Sequence, residues 1–232
     1  MRIVLGAILF ALFMSAMALG EELRLAYEDY PPYEFFENNT VKGTHIDLIE
    51  EVGRRLDLDL VYFKEPFARA LYDAKSGVVD GVFSLFKTPE RMEFLYYPAE
   101  PLSETTTALV TRSHSGVKFS GLDDLLKYPI GAVRGYSHSG GIETLQGLYM
   151  SEVTDNGILL RMLDEGRIKI ALCTLDSFKY QHGQAGYDWE IKILKVLKIR
   201  PLFIGFPKIL GERSQRLAQD FDRELKNIKA GK

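Results

Sequence analysis

Between Leu23 and Phe83 the chain alternates extended and helical patterns five times in about sixty residues, a rhythm that restricts it to parallel strands joined by helical crossovers. Residues 23–27 alternate apolar and polar side chains, as a half-buried strand does. Behind Gly43 and Thr44, Ile46, Ile49, Val52 and Leu56 recur at helical spacing. Residues 58–63 read as a second strand, Pro66 opens a second helix that Gly77 stops, and residues 78–83 form a third, buried strand. Lys87-Thr-Pro-Glu-Arg91 then turns into a helix, with Thr88 as N-cap and Pro89 at the first helical position. Ser84, Phe86 and Arg91 thereby gather at the C-terminal end of a strand, which is where open α/β sheets bind ligands. The planar, permanently charged fork of Arg91 matches the two oxygens of a carboxylate, and it equally fits a surface ion pair with Glu90 or Glu93.

The rest of the chain continues the alternation. Paired prolines in Glu28-Asp-Tyr-Pro-Pro-Tyr33 forbid a helix. Tyr27, Tyr30 and Tyr33 stand at threefold spacing in and beside this loop, either walling a ligand or covering the sheet edge. Residues 100–112 are long, extended and threonine-rich, and residues 113–116 have loop composition, which together suit a crossing into a second domain. A short helix over 122–126 and a strand over 129–133 lead to Arg134-Gly-Tyr-Ser-His-Ser-Gly-Gly141. A helix is expected at once behind this segment, so residues 135–139 offer backbone N–H groups and a positive helix end to an anion. The segment is no phosphate-binding loop, because the Gly-Lys-Ser/Thr core is missing. A short strand at Val153, a helix over 156–165, a buried strand over 168–173 and a helix from Thr174 to about Gln181 follow, with Asp176 placed as a capping carboxylate would be. Residues 191–197 and 201–206 are extended, and residues 211–229 form a charged amphipathic helix.

Met1-Arg2, the apolar run over residues 3–14 and Ala16-Met-Ala18 ahead of Glu21 read as a secretory signal peptide over residues 1–18, with an uncleaved anchor as the alternative. No later segment approaches a membrane span, so the remaining chain reads as soluble and exported. The net charge of −3 lacks the concentrated basic surface that a nucleic-acid partner requires. Cys173 stands alone in an apolar run, so no internal disulfide forms and the residue reads as a small buried hydrophobe. His45, His114, His138 and His182 have no metal-ligand spacing, and neither a metal nor a cofactor is expected. The 232 residues suit one large or two small α/β domains.

In order and spacing, Tyr30-Pro-Pro-Tyr-Glu-Phe35, residues 43–48, Ser76-Gly-Val-Val-Asp80, Thr88-Pro-Glu-Arg91, Leu122-Asp-Asp-Leu125, residues 130–135 and Glu165-Gly-Arg167 resemble the type 2 periplasmic solute-binding proteins of ABC importers. Within these, the pieces are most similar to family 3 of the bacterial extracellular solute-binding proteins, the branch of the polar amino-acid binders. The resemblance implies an α/β, two-lobe periplasmic binding protein fold of type 2. Each lobe would be a mixed, mainly parallel sheet flanked by helices, and two crossing segments near 107–112 and 196–201 would join them. Lobe 1 would comprise residues 19–110 plus 200–232, and lobe 2 residues 111–199. It further implies a periplasmic monomer that closes on a small molecule and is recognised by an inner-membrane ABC permease.

Carried over residue by residue, the resemblance implies that Arg91 holds the ligand's carboxylate together with Gly135, Tyr136 and Ser137; beside it, Tyr27, Tyr30, Tyr33, Phe67 and Phe86 are expected to cover the ligand's body near Ser84. Three departures stand out. Thr174 occupies the place of the aspartate that pairs with an amino acid's ammonium, with Asp176 two residues on as a substitute. Phe86 replaces a small hydroxyl residue, and Tyr136 and Ser137 replace two threonines. The carboxylate-holding half is thus the part carried over, and the ligand class extends from amino acids to other organic acids. Arg69 and Arg134 either add positive charge to the cleft or belong to the ordinary surface. Two other functions use the same scaffold: a periplasmic dehydratase drawing on Asp176, Glu28 or Glu143, and a sensory module without transport.

Overall fold

Residues 20–136 and 141–231 are described by the computed structural model, so the leader expected over residues 1–18 and the site residue Ser137 lie outside the described residues. The expected parallel nucleus is present: β1 (Glu21–Tyr27) lies between β4 (Leu58–Lys64) and β5 (Gly81–Leu85), parallel to both. Its connections are a hairpin of β2 (Phe35–Glu37) and β3 (Thr40–Lys42), then α1 (Thr44–Leu56) and α2 (Phe67–Lys75). Behind β5, Thr88 caps α3 (Pro89–Phe94) by accepting from the Arg91 amide, with Pro89 at the first turn. The third strand begins later than its apolar run suggests, because Val78 is exposed and Asp80 turns inward to a pair of arginines.

β6 (Leu95–Tyr96), β7 (Ser103–Arg112), β8 (Ile130–Val133), β9 (Met150–Val153), α4 (Asn156–Asp164), β10 (Ile170–Thr174) and α5 (Leu175–Ala185) lead to β11 (Ile191–Pro207) and α6 (Glu212–Lys229). The strand order is β4-β1-β5-β11-β7-β10-β8-β9, with β6 paired to β11. The two extended pieces expected at 191–197 and 201–206 are one strand. Its first part pairs antiparallel with β7 as far as Leu202, and Phe203 and Gly205 then pair with β5. One long ribbon therefore carries two halves, each with parallel pairs at its outer side.

Each half has its own core. Leu23, Leu25, Ile49, Phe83, Phe206 and Phe221 pack in the first, and Leu159, Leu163, Ile168, Phe178 and Trp189 in the second. Gly131 is required by close approach, since a Cβ there would stand 2.6 Å from Leu159 Cδ1. Cys173 is buried, and burial raises its thiol pKa, as suits a small hydrophobe. Among the described residues no helix is long and apolar enough to cross a membrane.

One local expectation is overturned. Among the described residues no α-helix lies between β8 and β9, where a single 3₁₀ turn, Ile142–Thr144, stands instead. Gly141 and Gly147 adopt φ of 90° and 78°, left-handed conformations that interrupt helical growth.

The first half is tied together by Asp80, which is 3% exposed. It accepts from the backbone N–H and Nε of Arg24, both at 2.9 Å, and from Nη1 of Arg213 at 2.6 Å, so β1, the start of β5 and α6 share one carboxylate. Burial works against its charge, but the two arginines outweigh burial and hold its pKa below the ordinary value. Asp80→Ala is expected to cost about 3 kcal/mol in denaturant unfolding at neutral pH, because two cations lose a buried partner. A lowered native pKa stabilises above the unfolded value and is lost on acidification, so the difference should shrink below about pH 4.

Candidate functional site

Six elements converge between the two halves. The first half contributes Tyr30 from the loop after β1, Phe67 from the first turn of α2, Ser84 and Leu85 from β5, Phe86 just beyond, and Arg91 from α3; the second contributes Tyr136 after β8 and Thr174 at the end of β10. They line a narrow cavity with room for about one water.

Arg91 is 5% exposed and is not the surface ion-pair partner of Glu90 or Glu93. Its Nη1 donates to the Phe86 carbonyl at 3.0 Å and its Nη2 to the Gly135 carbonyl of the opposite half at 2.8 Å. The guanidinium also lies over the Phe67 ring, 5.1 Å from its centre. Burial lowers the Arg91 pKa, but a guanidinium remains charged at neutral pH. No carboxylate forms an ion pair with Arg91 among the described residues. Gly135 reaches Arg91 by running close to α2: its φ is 81°, and a Cβ there would sit 3.4 Å from the Ala68 Cα.

Tyr136 crosses between the halves. Its hydroxyl donates to Glu28 Oε1 at 2.5 Å, and its ring stands edge-on to Tyr30 and Phe67 with centroids 5.9 and 5.3 Å away. Glu28 is buried, and burial pushes its pKa up to about 8; the Tyr136 hydrogen bond opposes the rise, while Glu34 and Asp155 add to it.

A second buried chain holds the cavity floor. Ser84 has φ of 58°, a region that residues other than glycine rarely adopt, and it donates to Glu34 Oε2 at 2.5 Å. His45 Nδ1 lies 2.6 Å from the same hydroxyl and its Nε2 lies 2.7 Å from Ser103 Oγ. Burial lowers the His45 pKa to about 3, with Lys229 acting in the same direction, and burial raises Glu34 well above the carboxylate range. Both are therefore neutral, and His45 satisfies its two neighbours by donating at Nδ1 and accepting at Nε2.

Several sequence assignments are relocated. Tyr27 faces the first core and stacks on Phe83, so the wall of three tyrosines is not formed. Tyr33 lies one layer behind the cavity, stacked on His45, with its hydroxyl 2.9 Å from Thr105 Oγ1 and 3.2 Å from Asp176 Oδ2. Asp176 also accepts from Thr105 and is not the N-cap of α5, a position Thr174 occupies. Arg69 points outward to Asp73 and Glu65, and Arg134 to Glu152, so neither reaches the cavity. The anion-binding helix start expected at residues 135–139 is not formed at Gly135 and Tyr136, and Ser137 lies outside the described residues.

Sequence reasoning missed Glu34, His45 and Ser103, and it missed Arg200, whose guanidinium covers the Phe86 ring at 3.5 Å. A signal existed for His45, which stands beside Ile46 on the buried face of α1 and is itself 1% exposed. No group of three or more metal-ligating side chains occurs among the described residues.

Residues 23–232 match the family model described as bacterial extracellular solute-binding proteins, family 3. No curated protein matches the chain. Among solved structures, holo ArgBP from T. maritima is similar at 18% identity, with 90% of each chain covered and a TM-score of 0.78. An ancestral arginine-binding protein bound to arginine shares 21% identity over 91% of this chain and 94% of its own, with a TM-score of 0.77. A histidine kinase sensor domain shares 16% over 92% of each chain, with a TM-score of 0.79. At these identities the likeness establishes the fold, the two-lobe α/β architecture of type 2 periplasmic binding proteins.

The buried Glu28 generates a pH dependence. A carboxyl whose native pKa is raised stabilises fully below its unfolded value, near pH 4, and loses that contribution as the pH rises through about 8. Glu28→Gln keeps an acceptor for Tyr136 but cannot ionise. Its thermal midpoint relative to the wild type is expected to rise steadily from about pH 5 to pH 8.

Proposed function

The chain belongs to the bacterial extracellular solute-binding proteins, family 3, and from that premise we propose that it captures a small carboxylate-bearing solute between its lobes and delivers it to an inner-membrane ABC permease. The observation that carries this reading is Arg91: a cation 5% exposed, at the cavity wall, whose partners among the described residues are two backbone carbonyls and an aromatic face. Leaving a buried charge without a counter-ion is costly, and a carboxylate entering the cavity supplies one. The structurally similar proteins bound to arginine and to glutamine hold ligands that bear such a group.

In this reading a lobe of residues 19–110 plus 200–232 closes on one of residues 111–199, with β7 and β11 as the crossing segments. Tyr30, Phe67 and Phe86 surround the body of the solute, and Ser84 and Thr174 present hydroxyls to it. Thr174 brings no charge, which widens the candidates beyond amino acids to simple organic acids. The binder is non-enzymatic and works in the periplasm. The histidine kinase sensor domain of similar fold supports a second reading, in which the closed state is read by a signalling partner instead of a permease. Loss of solute uptake on gene deletion favours transport, and loss of a transcriptional response with normal uptake favours sensing.

Isothermal titration against L-amino acids and mono- and dicarboxylates is expected to find a carboxylate ligand. Arg91→Ala should weaken the best one by about 2–3 kcal/mol, on the order of 30- to 150-fold, and Arg91→Lys should fall between, because the ammonium keeps the charge but loses the fork. An affinity unchanged in Arg91→Ala overturns this assignment.

A further inference from the structure

The inner cavity, with room for about one water, is far smaller than a ligand pocket, whereas a much larger groove lies beside it between the halves. Glu28, Asp29, Glu65, Asp155 and Gln181 line that groove. One side chain keeps the two spaces apart. The Tyr136 ring forms a wall of the inner cavity, wedged between Tyr30 and Phe67, and its hydroxyl ends on Glu28, a residue of the outer groove.

We propose that Tyr136 is a plug that sets the size of the solute: while its hydroxyl rests on Glu28 the inner cavity has room for about one water, and a carboxylate reaches Arg91 only when the side chain leaves Glu28 and joins the inner cavity to the groove, longer solutes needing the wider opening. This rests on the solute-binding reading and adds to it a size limit that Arg91 does not provide. Three features suit a movable partition. The hydroxyl is held by one hydrogen bond, so a single contact is broken on release. Tyr136 is only half-buried, and its other side borders open space lined by Leu71, Phe94 and Met150, into which the ring can rotate. The preceding residue is Gly135 at φ 81°, a left-handed conformation that glycine adopts without strain.

The test compares wild type, Tyr136→Phe and Tyr136→Ala by calorimetry with glycine, L-glutamine and L-arginine as probes, with Arg91→Ala as a separate control. Tyr136→Ala should raise the affinity for L-arginine relative to glycine at least about tenfold, while Tyr136→Phe, which keeps the ring, should shift that ratio far less. An unchanged ratio in Tyr136→Ala overturns the plug. If Tyr136→Ala shifts the ratio while Arg91→Ala binds as well as wild type, the plug stands and the carboxylate anchor falls. The reverse pattern removes the plug alone. Should none of the probes bind to any protein, amide hydrogen exchange decides: faster exchange at residues 28–30 and 67–68 in Tyr136→Ala supports the partition, and unchanged exchange overturns it.

Discussion

The arrangement between the two halves depends on a buried guanidinium that has no carboxylate partner among the described residues. Arg91 is carried into the interior by the first turn of a capped helix, and it hydrogen-bonds to Phe86 beside it and to Gly135 of the opposite half. In a low-dielectric setting a charge of this kind polarises everything around it and favours an anion beside it. The Phe67 face and the two carbonyls partly offset its desolvation, and they also fix the direction in which its remaining donors point.

The surroundings of Arg91 are built to remain neutral. Glu34 and His45 are both displaced by burial toward their uncharged forms, and they are joined through the Ser84 hydroxyl, whose backbone is held in an unfavourable conformation. A fully hydrogen-bonded neutral chain at this depth costs far less than an ion pair, because no charge has to be stripped of water. Strain at Ser84 is tolerated because β5 is paired on both sides and the chain of hydroxyl, imidazole and carboxyl restrains the side chain. The hydrogen-bonded chain of Glu34, Ser84 and His45 lies on one side of the cavity and the half-buried Tyr136 on the other.

Local signals suffice where one interaction dominates. Thr88 and Pro89 specify their helix start by capping and by a fixed φ, and the apolar spacing of Ile46, Ile49 and Val52 specifies α1. They failed where several weak preferences compete. The sequence after Gly135 suits a helix start, yet among the described residues Gly141 and Gly147 take left-handed conformations and only a 3₁₀ turn forms. Asp176 has the position of a cap but is drawn to the Tyr33 and Thr105 hydroxyls, and Tyr27 has the position of a cleft residue but turns into the core. For such residues the direction of the side chain depends on strands distant in the chain.

The sequence by itself determined the strand–helix rhythm, the capped helix that carries Arg91 and the likeness to solute-binding proteins, because each depends on residues within a turn or two of one another or on their order. Only the tertiary structure decided which charged groups are alone and which are paired. Arg69 and Arg134 meet carboxylates at the surface, Arg24 and Arg213 share Asp80, and Arg91 faces carbonyls. Residue type is identical in all five cases. What separates them is burial and, for the distant partners, what folding brings from 18 to 133 positions away, while Arg69 with Asp73 and Arg91 with the Phe86 carbonyl are local contacts.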